Sequence, residues 1–210
     1  MTADGAGRPY RSALREEQAE QTRLRIARAA RDRFVERGWA GTSVRSVATA
    51  AGVSEATVYA AYGSKAGLAI SLVDSADADA DTDRVIAELA AAAGDPRGQL
   101  AALVGFDRRL FENAGDVIRV IVEGRRNEPA LAAAYTEGRG RGDRNRRAVL
   151  ETWPRSSFRP GMTPDKALDV YALTISLETF EIAVRERGWT ADAIEDWWYA
   201  SLGEALLAGS

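Results

Sequence analysis

The stretch from Gly41 to Lys65, GTSVRSVATAAGVSEATVYAAYGSK, constrains the chain more than any other, because it fits two short helices and a tight turn into twenty-odd residues. Thr42 or Ser43 can N-cap a first helix, whose apolar positions Val44, Val47, Ala48 and Ala51 recur at three- and four-residue steps and make one inward face. Gly52 follows the last of them, where a left-handed residue lets the chain leave a helix sharply. Val53 plugs the turn and Ser54 can N-cap a second helix. In that helix Val58 and Ala61 or Tyr62 return to the same small core, leaving Glu55, Ala56, Thr57 and Tyr59 facing outward. This is helix-turn-helix spacing, and such motifs offer the start of their second helix to the base edges of a DNA major groove. A glycine between two short amphipathic helices also occurs in proteins that never meet DNA, so the flanking positions have to decide.

Those positions are Ile26, Ala29, Ala30, Phe34, Gly38 and Trp39 before the motif, Thr42, Ser43, Ala51 to Ser54 and Thr57 to Tyr59 within it, then Tyr62, Ser64 and Lys65. Together they resemble the pattern of the TetR-type bacterial transcriptional regulators over about residues 20 to 75. The resemblance implies an all-α protein, with an N-terminal three-helix helix-turn-helix DNA-binding domain and a larger helical ligand-binding and dimerisation domain. It assigns Arg45, Glu55, Ala56 and Thr57 to base edges or their borders, and Thr42, Ser43, Tyr59 and Lys65 to phosphates. Ser54 and Tyr62 complete the expected DNA-binding set. Ala60 and Ala61 depart from the pattern, standing where many relatives carry aromatic, Arg or His residues. Glu55 has two readings: a carboxylate can accept from a cytosine amino group, or it can stabilise the positive end of its helix.

A net charge of -3 fits a DNA binder poorly until it is divided along the chain. Up to Lys65 there are 11 basic and 7 acidic residues, and from there on 17 basic and 24 acidic, so basic charge gathers where DNA would lie. The chain has no cysteine and no histidine, which excludes disulfides, thiolate zinc sites, a cysteine nucleophile and the commonest general base. With no apolar leader and no long uncharged apolar run, it reads as cytoplasmic, with no membrane partner.

In chain order, residues 1–16 read as a flexible arm with Arg8, Arg11 and Arg15, residues 17–75 as the DNA-binding domain and residues 76–210 as the second domain. The supporting helix runs from about Glu17 to Arg37 and stops at Gly38, after which Trp39 reads as a core plug rather than a base-stacking platform. Ser64 caps a further helix whose first residue, Lys65, would add full charge where free backbone N–H groups already favour phosphate. Asp77, Asp79, Asp81, Asp83 and Glu88 have calcium-loop spacing, but Thr82 occupies the place that needs Gly, so a solvated acidic segment is expected and no metal. Helices follow from Pro96 to about Asn113, from Asp116 to near Arg125, and from Pro129 onward, the last kinked or broken at Gly138, Gly140 and Gly142. Arg139, Arg141, Arg144, Arg146 and Arg147 form either a second nucleic-acid surface or a solvated face. After the loop TWPRSSFRPGM a helix starts at Thr163-Pro164, is interrupted near Ser176 and ends at Gly188, and Thr190 caps the last one. The stretch LTISLETFEIAVRERGWT resembles the penultimate helix and turn of a TetR-type subgroup, without that subgroup's proline near Leu177.

Asp107 falls in the middle of the apolar stripe Leu100, Leu103, Val104, Leu110 and Phe111, and a buried carboxylate needs a partner. Either an arginine of a neighbouring helix supplies it, Arg119 or Arg125 for instance, or Asp107 lines an effector pocket with Phe106, Phe111, Tyr135 and Tyr171 that would suit a cationic or hydrogen-bond-donating apolar ligand. Phe180, Trp197, Trp198, Leu202 and Leu206 give the last helices more apolar surface than a lone terminal helix carries, and are expected at a homodimer interface, the alternative being that they pack on their own domain. The leading function is a ligand-responsive regulator, a repressor, that binds a near-palindromic operator in double-stranded DNA as a homodimer and is released by a small-molecule effector of unknown identity. DNA binding without small-molecule control is the alternative. An all-helical enzyme is a remote third, since neither catalytic residues nor a cofactor site can be assigned.

Overall fold

The computed structural model describes residues 7–79 and 82–209, and side chains from residue 16 onward apart from those of 76–81. Among the described residues there are ten α-helices and no strand, and the chain divides into two compact units, Met1–Leu72 and Val73–Ser210.

The first unit contains α1 (Gly7–Gly41), α2 (Val44–Ala51), α3 (Glu55–Tyr62) and the start of α4 (Lys65–Asp79). Helix α1 begins well before the expected boundary. Residues 7–16, read from sequence as part of a flexible arm, are helical, because Pro9 sits in the first turn, where its missing N–H costs nothing, and helix-forming residues follow. Residues 1–6 lie outside the described residues. Near its other end α1 is broken at Gly38, whose φ of 65° is left-handed. Ile26, Ala30 and Phe34 of α1 meet Val47, Ala48, Val58, Leu68 and Ala69 in a core whose members are all nearly inaccessible.

The second unit consists of α5 (Thr82–Ala91), α6 (Pro96–Gly124), α7 (Pro129–Glu151), a 3-10 turn (Arg155–Ser157), α8 (Pro164–Thr174), α9 (Leu177–Glu181), a π-helical turn (Ile182–Glu186) and α10 (Ala191–Leu206). Its core gathers Leu100 and Val104 from α6, Leu150 from α7, Leu168 and Tyr171 from α8, Phe180 from α9, and Ile194, Trp198, Leu202 and Leu206 from α10. Two sequence expectations fail here for local reasons. The break expected between Asn113 and Asp116 is absent: α6 runs straight through, and a Cβ on Gly115 would come within 3.0 Å of Leu177 Cδ1, so this glycine serves close packing against α9. Helix α7 is likewise continuous across Gly138, Gly140 and Gly142, held by its packing on α6 and α8. The interruption near Ser176 does occur without a proline, because Ile175 leaves the helical region and Ser176 restarts the chain through a capping box with Thr179.

The loop after α7 is tied to the C-terminus. Arg159 N–H donates to the Leu206 carbonyl and Ala208 N–H to the Ser157 carbonyl. The buried Gln99 accepts from the Trp153 indole N–H at 2.8 Å, which satisfies both groups inside the core.

Candidate functional site

Helices α2 and α3 acquire their geometry from adjacent small residues. Ser43 caps α2, its hydroxyl accepting from Ser46 N–H while the Ser46 hydroxyl accepts from Ser43 N–H. Gly52 ends the helix at φ 65°, ψ 38°, with its N–H returned to the carbonyls of Ala48 and Thr49. Ser54 caps α3, accepting from Thr57 N–H at 3.1 Å and sharing a 2.8 Å hydrogen bond with the Thr57 hydroxyl. Val58 turns inward and is buried, whereas Ala56 and Tyr59 are exposed and Glu55 and Thr57 are partly so. Across the turn the Arg45 Nε–H donates to Glu55 Oε1 at 3.0 Å.

Thr42, Ser43, Tyr62 and Lys65, expected at the phosphates or in the wider DNA-binding set, all have polar groups engaged inside the unit. Thr42 is buried, and its hydroxyl lies 2.9 Å from the carbonyl oxygens of both Arg33 and Gly38, closing the frayed end of α1. Ser43 performs the capping that sequence left open between the two, because only the second hydroxyl precedes a residue with helical backbone. Lys65 folds its ammonium onto the Trp39 carbonyl and over the Trp39 ring, 3.9 Å from the centroid. The tryptophan itself stacks on Phe34 with centroids 5.8 Å apart, which supports its reading as a core plug. The Tyr62 hydroxyl donates to the Arg23 carbonyl at 2.9 Å, and burial, against the opposing effect of the Arg23 charge, raises its pKa. Lys65 and Tyr62 thus brace α3 and α4 against α1.

In the second unit Asp107 is fully buried and meets an arginine of a neighbouring helix, as one of its two readings expected, though neither of the two instances named. Arg146 donates to both carboxylate oxygens, from Nε to Oδ2 at 3.2 Å and from a terminal nitrogen to Oδ1, and the Tyr171 hydroxyl donates to Oδ2 at 2.7 Å. The Arg146 guanidinium also lies 5.2 Å from the Tyr171 ring centroid. Arg119 is occupied by Glu181, and Arg125 lies over the Tyr135 ring at 3.8 Å. Antiparallel pairing explains the choice: α6 ends at Gly124 and α7 begins at Pro129, so Asp107 and Arg146 stand equally far from the connection and come level. Burial, and then the Asp107 charge, hold the Tyr171 pKa well above its ordinary value, while the same carboxylate raises that of Arg146 against the cost of burial. Of the other expected pocket residues, Phe111 packs on Phe180 and Trp198, and Phe106 is partly exposed.

Residues 26–72 match the family model described as bacterial regulatory proteins, tetR family. The chain carries a TetR-family domain. No curated protein matches its sequence. Among solved structures it is similar to a candidate transcriptional regulator from Saccharomonospora viridis in complex with choline, at 19% identity and a TM-score of 0.73, over 90% of this chain and 100% of that one. NalD, the secondary repressor of the MexAB-OprM multidrug efflux pump in Pseudomonas aeruginosa, aligns at 21% identity and a TM-score of 0.71 over 92% and 100% of the two chains. The transcriptional regulator FadR from Bacillus subtilis, in complex with stearoyl-CoA, aligns at 18% and 0.68 over 85% and 96%. At these identities the likeness is one of fold, which extends the TetR-type architecture over most of the second unit.

Two contributors to the TetR-family domain escaped the sequence reading. Gly67, inside α4, has no room for a side chain, since a Cβ there would run into the Tyr62 carbonyl oxygen that ends α3. Its signal was a glycine three residues past the Ser64 cap. The pairing of Arg45 with Glu55 was also missed, because Arg45 was considered only against DNA and Glu55 only against DNA or its own helix end. The expected dimer set needs the largest correction: Phe180, Trp198, Leu202 and Leu206 are buried in the core of their own unit, and only Trp197 is exposed. A helix-wide count of apolar residues had not distinguished the face turned to α6 and α8 from the opposite one. Trp189 was not anticipated, yet it is exposed and meets Trp197 edge-on at 6.3 Å.

Proposed function

We propose that the chain is a DNA-binding transcriptional regulator that acts as a repressor in the cytoplasm, binds a near-palindromic operator as a homodimer and responds to a small-molecule effector rather than catalysing a reaction. The observation that carries this reading is the α2-turn-α3 geometry of the TetR-family domain, with both helices side-chain capped and the start of α3 exposed. That arrangement suits entry of α3 into a major groove. Among the described residues no helix is long and apolar enough to cross a membrane.

One motif reads only a few base pairs, so two copies are needed to span successive grooves on one face of the duplex. The exposed Trp189 and Trp197, with Leu173 and Ile182, supply apolar surface on the second unit for pairing with a second copy. Sedimentation tests this directly: the reading expects a dimer at micromolar concentration without DNA, and a monomer contradicts it.

Effector control draws support from neighbours of the same fold solved with choline and with stearoyl-CoA. A specific observation favours the alternative of DNA binding without such control, namely that Asp107, which one of its two sequence readings placed in an effector pocket, is already neutralised by Arg146 and bonded by Tyr171. Thermal-shift screening separates the two, since a ligand that binds only the folded state raises its stability by about 2.7 kcal/mol at a hundred times its Kd. A diverse library with no such ligand, alongside salt-dependent duplex binding, would support the alternative.

A further inference from the structure

We propose that Glu55 is a positioning residue for Arg45, and that the pair reads one guanine in each half-site through Arg45; this rests on the reading of the chain as a DNA-binding regulator. Glu55 is the first residue of α3, directly after the Ser54 cap, and Arg45 is the second residue of α2, so the hydrogen bond crosses the turn that separates the two helices. The bond uses Nε of the guanidinium and leaves the two terminal nitrogens as donors; among the described residues they hold no other partner.

Arg45 is the more exposed of the two, with 84% of its side chain accessible against 42% for Glu55. An ion pair this open contributes little to stability, so its consequence is geometric: it biases a long, flexible side chain toward a position beside the start of α3. Two parallel N–H donors on a fixed fork match N7 and O6 of guanine, the commonest specific arginine contact in the major groove. The neighbouring hydroxyls are committed to each other, since Ser54 and Thr57 share a hydrogen bond, which leaves Arg45 as the strongest outward donor on this surface. Pairing also cancels the Glu55 charge, which would otherwise repel nearby phosphates. The carboxylate therefore acts through Arg45 and does not itself take a cytosine amino group.

The test is selection of bound duplexes from random DNA with the full chain, read position by position for wild type, Arg45→Ala, Glu55→Ala, Glu55→Gln and the double Arg45→Ala/Glu55→Ala. Wild type is expected to enrich a half-site with one strong guanine. Arg45→Ala should reduce preference at that position by about tenfold or more and leave the others in place. Glu55→Ala should relax the same position by a smaller factor. Glu55→Gln, whose amide oxygen still accepts from Nε, should retain it. The double variant should match Arg45→Ala alone. A Glu55→Ala effect at a position that Arg45→Ala leaves untouched, or independent effects in the double variant, would overturn the positioning role while leaving DNA binding intact. A wild type that enriches no motif would instead bring down the DNA-binding reading and this proposal with it.

Discussion

The two units of this chain are held by different kinds of information. In the TetR-family domain the contacts that shape the two motif helices lie close in sequence, as with Ser43 to Ser46, Gly52 to Thr49, Ser54 to Thr57 and Ser64 to Gly67, while Tyr62 to Arg23 and Lys65 to Trp39 join them to α1. In the second unit the decisive polar contacts join distant residues, as with Asp107 to Arg146 and Tyr171, Gln99 to Trp153, and Arg108 to Glu195. The first unit is therefore specified by short motifs that any one substitution weakens modestly. The second depends on a few buried polar groups whose loss is costly, because each leaves a partner without solvent or counter-charge.

The largest expected effect breaks the buried pair from one side. Arg146→Met strands the Asp107 carboxylate and should cost about 3–5 kcal/mol, whereas Asp107→Leu/Arg146→Met, which removes both charges, should recover most of that loss. Urea unfolding of the single and double variants checks it, and equal destabilisation in both would show that the pair is not the source. Next in size, Tyr171→Phe deletes one hydrogen bond to a charged group and should cost about 1.5–3 kcal/mol near neutral pH. Its pH dependence has a definite sign. The folded state raises the Tyr171 pKa, so the stabilisation is complete below the unfolded value of about 10 and declines as pH rises above it, where the unfolded chain releases the phenolic proton first. The gap between wild type and Tyr171→Phe should accordingly narrow as pH rises above about 10; a gap that widens contradicts the assignment.

Smaller effects sharpen the contrast, because one type of substitution should change sign between the units. Gly52→Ala places a Cβ at φ 65° and should cost about 1–2 kcal/mol. Gly138→Ala, within α7 and with nothing within 4 Å of the new Cβ, should gain up to about 1 kcal/mol. Thermal unfolding of the two variants side by side is sufficient, and the same sign in both would remove the distinction.

This division also governs what could be read from the sequence. The caps, the Gly52 turn, the inward Val58 and the outward Ala56 and Tyr59 follow from spacing, since backbone geometry places neighbours with little help from the rest of the chain. The partner of Asp107 did not follow, because apolar periodicity shows which face of α6 is buried but not which arginine of another helix comes level with it. Gly115 and Gly138 look alike in sequence, both mid-helix glycines, and differ only in that Leu177 closes over the first. The partner of Lys65 was hidden for a similar reason: Trp39, 26 residues earlier, offers the ammonium a carbonyl and a ring. Trp197 and Trp198, adjacent in sequence, fall on opposite sides of the exposed boundary, which only the packing of α10 decides.

The central claim is that the start of α3 enters DNA, and Ala56→Asp tests it most directly. Ala56 is exposed on the first turn of α3, where an added carboxylate favours the positive helix end, so the fold should be retained with an unchanged or slightly higher Tm. The same carboxylate faces phosphates and base edges in the complex. Affinity for the duplex enriched by wild type should fall by about a hundredfold or more, since juxtaposed like charges cost several kcal/mol. A folded Ala56→Asp variant that binds this duplex as tightly as wild type would contradict the account.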